Sequence, residues 1–211
     1  MAIIRESEMR ARARRRALAT SQTPEDALNA LAGIRQPRFD IFLSQTTRDA
    51  EIVLGVYDLL VEQGYSVFCD WIIAPEVNRS EVSPANAAFV RGAMMICDTL
   101  LFLDTEQADQ SLWMCWELGW FDGNKGHVAI LPVLDDKTLQ YRSREFLGLY
   151  PYIEVDEKGQ LFLRRPVVTG PTGVTILEAP NKRSFDAWRS ANASDFRPRV
   201  MGVWREATSK V

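Results

Sequence analysis

The chain has 211 residues, 46% apolar and 25% charged, with a net charge of −3. That length suffices for one globular domain plus extensions, and the charge excludes the global basic field of a nucleic-acid binder. No apolar run approaches the roughly 20 residues of a membrane span, and the basic N-terminus lacks the apolar stretch and cleavage site of a secretory signal.

Residues 3–19 are strong helix formers carrying six arginines. Ile4, Met9, Ala13 and Ala17 form a thin apolar stripe, so the segment reads as a peripheral helix docked on its own domain or on a second subunit. Thr23 and Pro24 start a second short helix, as cap and first residue. Phe39–Leu43 is an apolar strand, Ser44-Gln45-Thr46-Thr47 a polar turn, and Arg48–Gln63 a helix ended by Gly64. Tyr65–Cys69 is the next strand, followed by Asp70-Trp71 and a long loop from Ile72 to Ser83 that contains Arg79. A helix from Pro84 to about Met95, a strand over Thr99–Asp104, a loop to Gln110 and a helix over Ser111–Phe121 follow. His127–Val133 is a fourth strand, Leu139–Leu147 a weak helix and Tyr152–Val155 a short fifth strand. Asp156–Gly159 turns into Leu161–Leu163 as a hairpin. Beyond it, Gly170–Gly173 is a loop, and Phe185, Trp188 and Trp204 anchor short helical pieces.

Strands alternating with helices predict an α/β fold with a five-stranded parallel, flavodoxin-like sheet and flanking helices. In the order 2-1-3-4-5 its switch point lies between the first and third strands, at the loops Ser44–Thr47 and Thr105–Gln110. The expected domain runs over 37–155, with an N-terminal helical extension over 1–36 and a C-terminal extension over 156–211.

Few residues here carry familiar chemistry. Cys69, Cys97 and Cys115 lack metal-binding spacing and read as buried thiols of a reducing cytosol, so the expected compartment is cytoplasmic. His127, the one histidine, opens a strand at the edge away from the switch point and reads as structural. Zinc sites and Ser-His-Asp or Cys-His devices thus lack parts, and no metal is expected. The unusual segment is Ser111–Trp120, where Glu117 lies among Trp113, Trp116 and Trp120. Ser111 can cap this helix, and Trp113 and Glu117 then lie one turn apart on one face. A carboxylate in an apolar wall needs a partner. Two readings follow: a ligand-facing acid beside the crevice, or a half-buried core helix whose Glu117 points to solvent or meets an arginine. Trp116 and Trp120 read as core.

Phe39-Asp40-Ile41-Phe42-Leu43-Ser44 resembles the opening strand of a Toll/interleukin-1 receptor (TIR) domain. Asp70-Trp71, the loop bearing Arg79, Ser111-x-Trp113-x-x-x-Glu117-Leu118 and Val128–Val133 follow in TIR order. The likeness covers roughly residues 37–155 and is strongest to bacterial TIR proteins. It implies either an adaptor that only associates or an enzyme that cleaves NAD+ at the nicotinamide–ribose bond. Some such enzymes make cyclic or rearranged ADP-ribose signals in anti-phage defence. In that branch a glutamate at the place of Glu117 is catalytic. Many bacterial members carry His where this chain has Gln45.

The chemistry suits these residues. Nicotinamide leaves as a neutral molecule, so the group needing help is the ribosyl cation left behind, which one carboxylate can stabilise. Glu117 is the expected catalytic residue. Trp113 would wall the site from water, which favours a cyclic product. Ser44, Gln45 and Thr46 would bind phosphate or ribose, with Ser111 at the same helix start. Asp70, Trp71 and Arg79 would line the crevice or meet a neighbouring subunit. No glycine-rich phosphate loop is present, which argues against an oxidoreductase that retains its dinucleotide. NAD+ is therefore expected as substrate with no cofactor. Expected partners are further copies of the chain through TIR–TIR contacts and an effector that binds the product, with no membrane or nucleic acid. A non-catalytic interaction module and a nucleoside deoxyribosyltransferase-like enzyme are the alternatives.

Overall fold

The structure is a computed structural model describing residues 2–31, 36–46, 48–69, 83–106, 108, 111–142, 145–165 and 182–191. In chain order the elements are β1 (Ile4–Arg5), α1 (Glu6–Thr20), α2 (Pro24–Leu31), β2 (Phe39–Ser44), α3 (Ala50–Glu62), β3 (Val67–Cys69), α4 (Pro84–Met95) and β4 (Cys97–Asp104). There follow α5 (Leu112–Asn124), β5 (Val128–Leu134), β6 (Tyr152–Val155), β7 (Leu161–Arg164), β8 (Lys182–Ser184) and α6 (Phe185–Arg189). The sheet order is β3-β2-β4-β5-β6-β7-β8. Its first five strands run parallel. This is the flavodoxin-like order expected, with the switch between β2 and β4. The hairpin β6–β7 and then β8 add antiparallel strands at one edge.

The apolar runs are buried on both faces, as parallel strands require. Successive residues point to opposite sides. Ile41, Leu43, Leu101, Leu103, Ala129 and Leu131 therefore pack under α1, α2, α3 and α6. Phe42, Leu100, Phe102, Val128 and Ile130 pack under α4 and α5. Serine caps start the second pair of helices: Ser83 Oγ accepts from Asn86 N at 3.1 Å and Ser111 Oγ from Met114 N at 3.3 Å. Thr23 and Asp26 close a reciprocal capping box on α2, at 3.1 and 3.4 Å.

The arginine-rich α1 lies along α3. Met9 and Ala13 are fully buried there. The backbones approach so closely at Gly55 that a Cβ would stand 2.1 Å from the Met9 carbonyl oxygen. Arg10 and Arg14 each reach Glu51 at 3.1 Å, Arg12 reaches Glu62 at 2.5 Å, and Arg16 pairs with Asp58. The basic charge is thus answered by acids of the neighbouring helix.

Three expectations need correction. Ile4–Arg5 is strand, because β6 pairs with β5 only at Ile130↔Tyr152 and leaves Val133–Leu134 to pair with β1. The helix expected over Leu139–Leu147 does not form. Asp135 Oδ1 accepts from the N–H groups of Lys137 and Thr138, at 3.0 and 2.6 Å, and the resulting turn leads into a loop. Only Glu145–Leu149 is a 3-10 turn. Cys115 is exposed, because α5 buries the stripe Met114, Glu117, Leu118 and Phe121, and Cys115 falls off it. Trp116 and Trp120 are half-buried against the same core. The expected Gly170–Gly173 loop and Trp204 lie outside the described residues.

Candidate active site

Two elements bring the central pair together. Ser44 is the last residue of β2, fully buried and in register with Phe102 of β4. Glu117 belongs to the inward stripe of α5 and is 3% exposed. The Ser44 hydroxyl donates to Glu117 Oε2 at 2.6 Å. The acid therefore points at the carboxy edge of the switch strands and not to solvent.

Gln45 and Thr46 follow, buried at 3% and 8% exposure. Trp113, one turn before Glu117, is half-buried. Its ring meets Trp116 edge-on at 5.3 Å, and its indole Nε1 is buried with no hydrogen-bond partner. Ser111 acts here through the helix, its hydroxyl accepting the first-turn N–H of Met114. Asp70, Trp71 and Arg79, with most of the loop between them, lie outside the described residues. His127 is at the opposite edge of the sheet. Its Nε2 lies 3.0 Å from Ala191 O, and its ring meets Trp188 at 5.1 Å.

Sequence reasoning missed a clamp joining the two switch loops. Asp49 ends the first loop and Thr105 begins the second. Thr105 Oγ1 donates to Asp49 Oδ2 at 3.0 Å, and both residues are buried. Arg10 of α1 stands 3.9 Å from Asp49 Oδ1. A buried carboxylate needs such neighbours. The polar loop ending in Asp49 was a usable signal, but no local pattern ties it to an arginine far upstream.

A parallel sheet switching between β2 and β4, a polar turn after β2 and a Trp113-x-x-x-Glu117 helix bonded back to that turn define the class: this is a flavodoxin-like α/β protein with a buried acid at its switch point. Over 119 residues the chain is 48% identical to a protein of Bacillus cereus (strain MSX-D12) named probable 3' cyclic ADP-D-ribose synthase ThsB'. The match takes in 54% of this chain and spans 60% of that protein. No protein-family model matches the chain.

Proposed function

We propose that the protein cleaves the nicotinamide–ribose bond of NAD+ and releases ADP-ribose in a cyclic, rearranged or linear form. The observation that carries this reading is the buried Ser44–Glu117 pair at the carboxy edge of the switch strands. The likeness to a probable cyclic ADP-D-ribose synthase supports it. The bond between ribose C1′ and the pyridine nitrogen breaks, and its electron pair neutralises nicotinamide. The cation left on the sugar lies against Glu117 Oε1/Oε2, where low local dielectric strengthens the attraction. Ser44 fixes the carboxylate's rotamer. A hydroxyl or ring nitrogen of the same dinucleotide then bonds to C1′, and Glu117 takes the proton of an attacking hydroxyl. If water attacks instead, the product is linear. The clamp between Asp49 and Thr105 holds the loops flanking this cleft.

In this reading the protein acts in the cytoplasm as an assembly of like chains, and its product signals to an effector in anti-phage defence. No helix among the described residues is long and apolar enough to cross a membrane.

The test incubates purified protein with NAD+ and resolves the products by chromatography. Wild type should consume NAD+, while Glu117→Ala and Glu117→Gln should lose activity by at least about a hundredfold, the scale of a single electrostatic stabiliser. Equal consumption by all three would remove Glu117 from the mechanism. NAD+ left intact by wild-type protein that has assembled would reject the enzymatic reading.

A further inference from the structure

A cavity of about 690 Å³ opens where the carboxy ends of β4 and β5 meet the loop that follows β5. Small-molecule sites commonly occupy about 300–1,000 Å³. Nothing in the cleavage chemistry above uses this space.

Its walls differ in kind. Val133, Leu134 and Leu139 supply apolar surface, and Tyr141 supplies an aromatic ring. Asp104 and Thr105, each 4% exposed, also line it, at the end of β4. These groups are held in place. Tyr141 OH donates to Asp104 Oδ2 at 3.0 Å, and its ring packs on Tyr152 at 5.3 Å. The loop behind them is fixed by the two N–H groups that Asp135 accepts. The charges along the described lining are Glu6, Asp104, Glu106 and Asp135 against Arg142. Such a wall repels phosphate. Carboxylates only accept hydrogen bonds, so they favour a neutral ligand rich in hydroxyl donors. The aromatic and leucine wall favours a flat ring. A flat ring joined to a cis-diol is a nucleoside.

We propose that this cavity is a nucleoside subsite and that it takes the adenosine half of NAD+. The proposal rests on the NAD+-cleaving reading, because Glu117 then holds the nicotinamide ribose and leaves the other nucleoside to be placed. Ser44 pairs with Phe102, and Asp104 lies two residues further along β4. From strand spacing and rise, the backbones of Ser44 and Asp104 are roughly 8 Å apart. That gap is short enough for the diphosphate to bridge above β4, outside the acidic wall. The base stacks on Tyr141, and the ribose diol donates to Asp104.

The experiment titrates the full chain with adenosine, and separately with nicotinamide riboside, by NMR and calorimetry. It compares wild type, Tyr141→Ala and Thr138→Trp. Thr138 is exposed at the rim, so an indole there plugs the space without entering the core. Adenosine should bind wild type. Both variants should weaken it by at least about tenfold, or 1.4 kcal/mol. In turnover assays both should raise KM for NAD+ with kcat retained. Adenosine that fails to bind at about millimolar concentration, that binds Thr138→Trp as well as wild type, or that nicotinamide riboside displaces would overturn the subsite. The readings separate because adenosine binding is measured without turnover. Adenosine held in the cavity by a protein inert toward NAD+ removes the cleavage reading and leaves a nucleoside site. Cleavage with KM unmoved by the plug removes the subsite and leaves the enzyme.

Discussion

Ser44 Oγ and Glu117 Oε2 are 2.6 Å apart with water largely excluded from both residues. Ser44→Ala deletes a donor to a buried carboxylate, a loss of about 1–3 kcal/mol. For a chain of this size that lowers the melting temperature by very roughly 2–12 °C. The same change frees the Glu117 rotamer, so NAD+ turnover should fall with the melting point. A Ser44→Ala protein that melts early yet turns over NAD+ at the wild-type rate would make the hydroxyl purely structural. In the proposed mechanism Trp113 acts by exclusion. Its half-buried ring shields the helix face next to Glu117, so Trp113→Ala admits water and should shift products toward linear ADP-ribose. Chromatographic product ratios unchanged from wild type would reject that role.

At the scale of elements, the tightest approach at any described glycine is α1 on α3. A Cβ at Gly55 would meet the Met9 carbonyl at 2.1 Å, and a backbone atom cannot swing aside as a side-chain tip does. Gly55→Ala should therefore cost at least about 1–3 kcal/mol, the usual range for overpacking. Gly92→Ala in α4, where a Cβ meets nothing within 4 Å, should be neutral or stabilising by up to about 1 kcal/mol. Chemical denaturation of the two variants checks the contrast. The same contact shows what local patterns could convey. The strand runs and the serine and threonine caps are local, so β2 to β6 and helices α2 to α5 were legible before any coordinates. Glu117 was legible because it interrupts an apolar helix. The strand at Ile4–Arg5 was not, since it exists only because β6 leaves the end of β5 open to it. The loop after β5 misled for a related reason: Asp135 takes backbone N–H groups that a helix would have used. Arg10 of α1 and Asp49 at the start of α3 meet between neighbouring helices, and no sequence spacing records such a meeting.

At the scale of the whole molecule, the described residues place the candidate site and the attachment of α6 at opposite edges of one sheet. Ser44, Glu117 and the Asp49–Thr105 clamp occupy the carboxy edge. At the amino edge, Arg189 of α6 pairs with Asp40 of β2 and lies 3.9 Å from Asp98 of β4. Burial alone would raise the Asp40 carboxyl. The Ser66 backbone N–H and hydroxyl, each at 2.8 Å, and the Arg189 guanidinium outweigh it and hold the group below its ordinary 3.8. A carboxyl depressed in the folded state stabilises it above the unfolded value, and that stability is lost as pH falls through the folded one. Melting temperature should therefore drop below about pH 4. Glu51 adds to the drop in the same sense, held low first by Arg14 against burial and then by Arg10. Asp58, raised by burial, opposes it. Arg189→Gln leaves those two groups untouched, so the difference between variant and wild type reports the acids that Arg189 meets, Asp40 first, with Asp98 and Asp186 at 3.9 and 3.7 Å. The pair is partly exposed and screened, so its loss costs no more than about 1 kcal/mol, or roughly 2–4 °C near neutral pH. The two melting curves should converge at the acid end, where Asp40 is protonated in both. Curves that stay parallel down to about pH 2 would mean that Arg189 contributes packing and not charge. Because the latch lies across the sheet from Glu117, NAD+ turnover at pH 7 should be the same in both proteins.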